Sequence, residues 1–158
     1  MSKCEKTNVM RILEQKHVPY QSYYYGDSDA VGGLEVASVL NEDPEQVFKT
    51  LVTVGASREH YVFLVPVNKE LDLKKAARAV NEKSISMIKS KELLPLTGYI
   101  HGGCSPIGMR KVFTTVIDES AILFDSIFFS GGKIGYQVEV SVEELKKVLE
   151  YTLQDIVI

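Results

Sequence analysis

Lys49, in Phe48-Lys49-Thr50-Leu51, opens an apolar stretch and is the first side chain whose charge and setting point to chemistry. An ammonium flanked by apolar residues can hold a phosphate or polarise a carbonyl, and a solvated lysine on a half-exposed strand has the same local sequence. A second signal lies in the glycines. Seven of the eleven fall between Gly98 and Gly135, in the clusters Gly98-Tyr99-Ile100-His101-Gly102-Gly103-Cys104-Ser105-Pro106-Ile107-Gly108 and Ser130-Gly131-Gly132-Lys133-Ile134-Gly135. Glycine is costly to order, so two Gly-Gly pairs, each joined to a serine, read either as tight turns or as backbone brought close to a ligand, where successive N–H groups can nest an anion or oxyanion.

A protein nucleophile is harder to find. Ser105 and Ser130 lie beside the glycines, but neither occupies a nucleophile elbow, and His101 is the only histidine near them in sequence. Cys104, among small residues, is expected to line a pocket rather than react. With three histidines, two distant cysteines (Cys4 and Cys104) and no Cys-x-x-Cys, no metal is expected. Neither a phosphate-binding Gly-x-x-x-x-Gly-Lys-Ser/Thr loop nor a Gly-x-Gly-x-x-Gly dinucleotide turn is present, so no nucleotide cofactor is expected.

The elements that must position these residues follow from spacing. Val9, Met10, Ile12 and Leu13 predict a helix capped by Thr7 and ended by Val18-Pro19. Tyr20 to Tyr25 reads as a strand, and Leu34 to Leu40 as a second helix. Phe48 to Val54 and Tyr61 to Val67 form a hairpin across Gly55-Ala56-Ser57, with Lys49 and Thr50 on opposite faces. Asp72 caps a helix with Leu73, Ala76, Ala77 and Val80 inward, and Ser90 starts a short helix ending before Pro95. Val112 to Ile117, Ile127 to Phe129 and Gln137 to Val140 are further strands. Ser141-Val142-Glu143-Glu144 is a capping box for a last helix that turns Leu145, Val148 and Leu149 inward. Strands outnumber helices and come in runs, which predicts an α/β fold of the α+β kind: a mixed, largely antiparallel sheet or open barrel with peripheral helices.

Length and composition agree. The 158 residues suit one domain spanning 1–158, and 45% hydrophobic with 25% charged residues is ordinary for a globular protein. The polar N-terminus lacks a signal core, and no apolar run nears the roughly 18 residues of a membrane span, so the expected location is cytoplasmic, with no membrane partner. A net charge of −3 argues against global binding to nucleic acid, DNA included. Locally, residues 69–91 hold seven basic side chains against three acidic ones, a surplus that could meet phosphates.

Phe48-Lys49-Thr50-Leu51, the first glycine cluster and Ser130-Gly131-Gly132-Lys133, in this order and spacing, resemble the YbaK/EbsC family, trans-editing relatives of the prolyl-tRNA synthetase insertion domain. The resemblance runs from about Thr7 to Ile158. It implies a small metal-free pocket that deacylates cysteine mischarged on proline tRNA, with the 3′ acceptor end of aminoacyl-tRNA as substrate and prolyl-tRNA synthetase as partner. It also implies Lys49 as the catalytic residue. Substrate contacts are implied at Tyr25, Thr50, Gly102, Gly103, Ser105 and Pro106, and in the second cluster at Ser130 and Gly131. Gln137 joins them as a departure, since relatives often carry an acid shortly after the second cluster. Val31-Gly32-Gly33 is another, replacing an aromatic residue that often precedes the second helix. In the family the substrate's own thiol attacks its ester. A deacylase for another small amino acid such as alanine, with water attacking, and a non-catalytic anion-binding module are the alternatives.

Overall fold

The computed structural model of the chain describes residues 5–158, so Cys4 lies outside the described residues. Helix α1 (Asn8–Gln15) begins where the Thr7 hydroxyl accepts the Met10 N–H at 3.3 Å, and it buries Val9, Met10 and Leu13. Strand β1 (Tyr20–Tyr24) and helix α2 (Gly33–Val39) follow, then the hairpin β2 (Phe48–Gly55) and β3 (His60–Pro66). Helix α3 (Leu73–Ala79) starts on Asp72, whose Oδ1 accepts the N–H groups of Lys74 and Lys75. After β4 (Ile85–Met87) and α4 (Ser90–Thr97) the first glycine cluster leads into β5 (Thr114–Asp118). A 3-10 turn (Glu119–Leu123) precedes β6 (Ser126–Ser130), and the second cluster is the hairpin loop into β7 (Tyr136–Ser141). The chain ends through α5 (Val142–Leu145) and β8 (Thr152–Gln154).

These strands form two sheets, an antiparallel one ordered β1-β7-β6 and a mixed one ordered β4-β2-β3-β5-β8, in which β5 runs parallel to both neighbours. The expected α+β architecture is therefore present, with the sheet divided in two. One apolar cluster draws on both: Phe48, Val52, Val62, Leu64 and Ile117 from the mixed sheet meet Ile127, Phe129, Val138 and Val140 from the antiparallel one, with α1 against them. A two-residue seam joins the sheets ahead of β2. The Gln46 carbonyl accepts the Phe128 N–H at 3.1 Å, the Val47 carbonyl accepts the Val67 N–H at 2.8 Å, and Gln46 Nε2 donates to the Ser126 carbonyl at 2.9 Å.

Four local expectations are corrected. Pro95 lies inside α4, not beyond it, and removes one N–H from the helix, which stops at Gly98, whose φ of 87° ends the right-handed turn. Leu73, at the first position of α3, is 43% exposed, leaving Ala76 and Ala77 as the buried contact. Val112 is 95% exposed, so the strand begins two residues later. The last helix is four residues long, because Leu145, Val148 and Leu149 reach the core through a turn that lets β8 return beside β5. Strands β4 and β8, three residues each, carry no periodic signal and exist through pairing with distant β2 and β5.

No helix of the described residues is long and apolar enough to cross a membrane. In the basic stretch, Lys75 is engaged structurally: its ammonium bonds Asp155 and donates to the Val157 carbonyl at 2.7 Å, holding the C-terminal segment. Leu145 is fully buried at the turn that redirects that segment. Leu145→Ala is expected to lower the unfolding free energy by about 2–5 kcal/mol in urea denaturation.

Candidate active site

The two sheets part beside the seam and leave a cavity of about 240 Å³. That is below the usual range for drug-sized ligands, and so fits a small group rather than a whole nucleotide. Four consecutive residues of β2, Phe48 to Leu51, line it, so the cavity curls round the strand end and takes in Lys49 and Thr50 together. Strict alternation had set them apart. Val36, Val47, Val67 and Phe129 give it apolar walls, and Tyr25, Ser130, Tyr136 and Gln137 add polar atoms from the antiparallel sheet and its flanks.

Of the residues singled out in the sequence, Tyr25, Lys49, Thr50, Gly102, Ser130 and Gln137 therefore share one cavity, while Gly103, Ser105, Pro106 and Gly131 are not among its lining. Their surroundings show what they hold. A Cβ on Gly103 would lie 3.0 Å from the Ile134 backbone nitrogen, so the two glycine clusters are packed backbone to backbone at this point. The Ser105 side chain is fully buried, and its Oγ accepts the Ile107 N–H at 3.3 Å. Gly131 N–H donates to the Tyr136 carbonyl at 2.9 Å and Gly132 N–H to Ser130 Oγ at 3.1 Å, so the second cluster uses these amides to close its hairpin. In the first cluster Gly103 N–H donates to the Ile100 carbonyl at 3.0 Å. Gly102 and Cys104, both lining residues, have amides that donate to no described group.

The Lys49 ammonium makes no hydrogen bond or ion pair with any described residue, so it is available to a ligand. Tyr25 is buried, which pushes its phenol above the ordinary range, and its backbone N–H bonds the Gly135 carbonyl at 2.8 Å. Burial likewise pushes the Cys104 thiol up to about 12, against a smaller opposite effect of its hydrogen bond with Thr97. A thiol held protonated in this way is no nucleophile near neutrality. Among the described residues no group of three His, Cys, Asp or Glu side chains could hold a metal ion.

Sequence reasoning passed over Glu42. It follows Asn41, which adopts φ 56°, and the N–H groups of Asn41 and Glu42 close α2 on the carbonyls of Ser38 (3.2 Å) and Ala37 (2.8 Å). This helix ending usually places an apolar residue where Glu42 stands. Here the carboxylate turns inward, and Gln137 Nε2 donates to its Oε1 at 2.9 Å. Burial pushes Glu42 up to about 7, the Gln137 hydrogen bond opposes this, and the nearby Glu139 adds to it. The unusual acid after Asn41 was the available signal. His101, the histidine beside the first Gly-Gly pair, is exposed and also lines the cavity.

The aminoacyl-tRNA editing domain family model matches residues 30–148, which include every lining residue named above except Tyr25. The chain belongs to the aminoacyl-tRNA editing domain family. Within it, the chain is 45% identical over 142 residues to a protein of Enterococcus faecalis (strain ATCC 700802 / V583) named "Putative Cys-tRNA(Pro)/Cys-tRNA(Cys) deacylase EbsC", covering 89% of this chain and 87% of that protein. It is 29% identical over 152 residues to a proline–tRNA ligase of Thermosipho africanus (strain TCF52B), covering 87% of this chain but 26% of the ligase. The fold of this editing domain matches a crystal structure described as "a putative trans-editing enzyme for prolyl tRNA synthetase", with a TM-score of 0.82, 24% identity and coverage of 98% of this chain and 99% of that one.

Two measurements test the editing domain's site. Between the ordinary carboxylate value and about 7, the native state keeps a proton on Glu42 that the unfolded chain has lost, so Glu42 makes stability fall as pH rises through that window. Glu42→Gln is expected to flatten that slope in denaturation curves taken from pH 4.5 to 7.5. At pH 8, iodoacetamide is expected to leave the Cys104 peptide unmodified in native protein and to alkylate it in urea, as read by mass spectrometry.

Proposed function

We propose that this chain is a trans-editing deacylase that clears cysteine from proline tRNA, with the substrate's own thiol as the nucleophile. The observation that carries this reading is the pairing of a small cavity, lined by an ammonium and by amides that have no partner among the described residues, with a lining that offers no activated nucleophile. The E. faecalis relative, named for Cys-tRNA(Pro) and Cys-tRNA(Cys), supports the same substrate class.

The reaction needs few groups. The cysteinyl Sγ attacks the ester carbonyl carbon, an S–C bond forms as the C–O3′ bond breaks, and the thiol proton ends on the leaving 3′ hydroxyl, giving a thiolactone and free tRNA. The protein's work is to fold the short side chain back on its own carbonyl and to stabilise the negative charge that develops there. In this reading the Gly102 and Cys104 amides meet that oxygen or the terminal ribose, and Lys49 neutralises the charge or the adjoining phosphate. Phe48, Val47 and Phe129 exclude water, which strengthens each of these contacts.

Selection of the tRNA lies outside this pocket. A cavity of this size reads an aminoacyl end, and a net-acidic chain has little general grip on nucleic acid, so prolyl-tRNA synthetase is the proposed partner in a cytoplasmic complex. The segment of the Thermosipho ligase similar to this chain fits such an arrangement.

A deacylation assay with Cys-, Ser- and Ala-tRNA(Pro) tests the reading. Cys-tRNA(Pro) is expected to be cleaved and Ser-tRNA(Pro) spared; equal cleavage of Ala-tRNA(Pro) would sink the thiol route in favour of water. Lys49→Ala is expected to lower kcat/KM for Cys-tRNA(Pro) about a hundredfold, and unchanged kcat/KM would remove Lys49 from the mechanism.

A further inference from the structure

Two residues that line the cavity carry buried polar atoms with no hydrogen-bond partner among the described residues, Thr50 Oγ1 on β2 and Gln137 Oε1 on β7. Gln137 is 2% exposed. Leaving a buried acceptor unpaired is costly, so such atoms beside a pocket mark where a ligand's donors go.

Glu42 decides which end of the Gln137 amide faces the ligand. Glu42 Oε1 accepts from the Gln137 NH2, and it can do so whether the group is ionised or carries its proton on Oε2, so the amide carbonyl oxygen is the end that remains for the cavity. The donation also polarises the amide and makes that oxygen a stronger acceptor. The neighbours do not take Glu42 away from this task. On β7, Glu139 accepts from the hydroxyls of Tyr23 and Ser126, and Tyr23 packs edge-on against Phe128. Glu42 Oε2 is itself buried and without a partner, so its one described side-chain hydrogen bond is the one to Gln137.

We propose that Glu42 is a positioning residue for substrate: it fixes Gln137 so that Oε1, with Thr50 Oγ1 beside the same cavity, receives the α-ammonium of the aminoacyl ester. This rests on the deacylase reading above. An ammonium carries three donors and a charge, which matches two neutral acceptors backed by a carboxyl group, whereas a thiol is a weak donor. It would also orient the ester: the amino group goes to β7, and the carbonyl is left for the Lys49 side of the cavity.

The test compares two esters of the same tRNA, cysteinyl and 3-mercaptopropionyl, which keep the thiol and differ in the α-amino group. Their intrinsic reactivities differ, but the ratio of their kcat/KM values, compared between variants, cancels that difference. Glu42→Leu supplies the apolar residue usual at this helix ending and so preserves the fold. It is expected to lower the ratio for cysteinyl over 3-mercaptopropionyl ester about tenfold, the size of one hydrogen bond to a charged group. Glu42→Gln, whose carbonyl can still accept from Gln137, is expected to restore most of the ratio. Equal losses on both esters, or no loss on either, would overturn the positioning role while leaving the deacylase reading in place. Wild-type protein inert on both esters would overturn the deacylase reading and this proposal with it.

Discussion

Everything at the site depends on the seam at Gln46 and Val47. Their two carbonyls tie β6 of one sheet and the residue just past β3 of the other to the same short segment, immediately before β2. Two independent sheets would be free to slide. With the seam in place, β2 enters the mixed sheet at a fixed distance from β6, and the gap beside it becomes a cavity instead of a collapsed interface. At the glycine loops Gly103 packs backbone to backbone against Ile134, where an added methyl group would sit 3.0 Å from the Ile134 nitrogen and require the loops to shift.

Within that frame the site combines apolar walls with polar groups left unsatisfied by the protein. Such a combination is costly in an unliganded fold and useful in an enzyme, because groups that are already placed and desolvated need little reorganisation when charge develops. The same burial that prepares the cavity disables its one cysteine: Cys104 is held as a thiol. A pocket that orients and stabilises but does not attack is what the proposed substrate-thiol route requires.

Glu42 shows how such a site is maintained. An acid placed where a helix ending usually carries an apolar side chain gives up stability near neutral pH, and in return it locks the orientation of an amide that could otherwise turn either way. Hydrogen bonds of this kind specify geometry more than they stabilise the fold.

The sequence by itself determined the elements whose signals are local: the Thr7 and Asp72 caps, the apolar stripe of α1, the β2–β3 hairpin, and the two glycine loops with Lys49 as the residues to watch. It also carried the family, in three motifs spaced along the chain. Tertiary structure alone decided the rest, because the deciding contacts are remote. The strands β4 and β8 are too short to carry a period and form by pairing across the sheet; the last helix yields to the return of β8; Pro95 is absorbed into a helix that Gly98 ends. In the site, alternation set Lys49 and Thr50 on opposite faces, and only the seam curls a cavity round both. Gly103, Ser105 and Gly131, ligand contacts by resemblance, are also tied into the loops by packing and hydrogen bonds that no motif shows. Glu42 is 95 residues from Gln137 in sequence, and a pair of that separation becomes a site only when the helix ending and β7 are brought into contact.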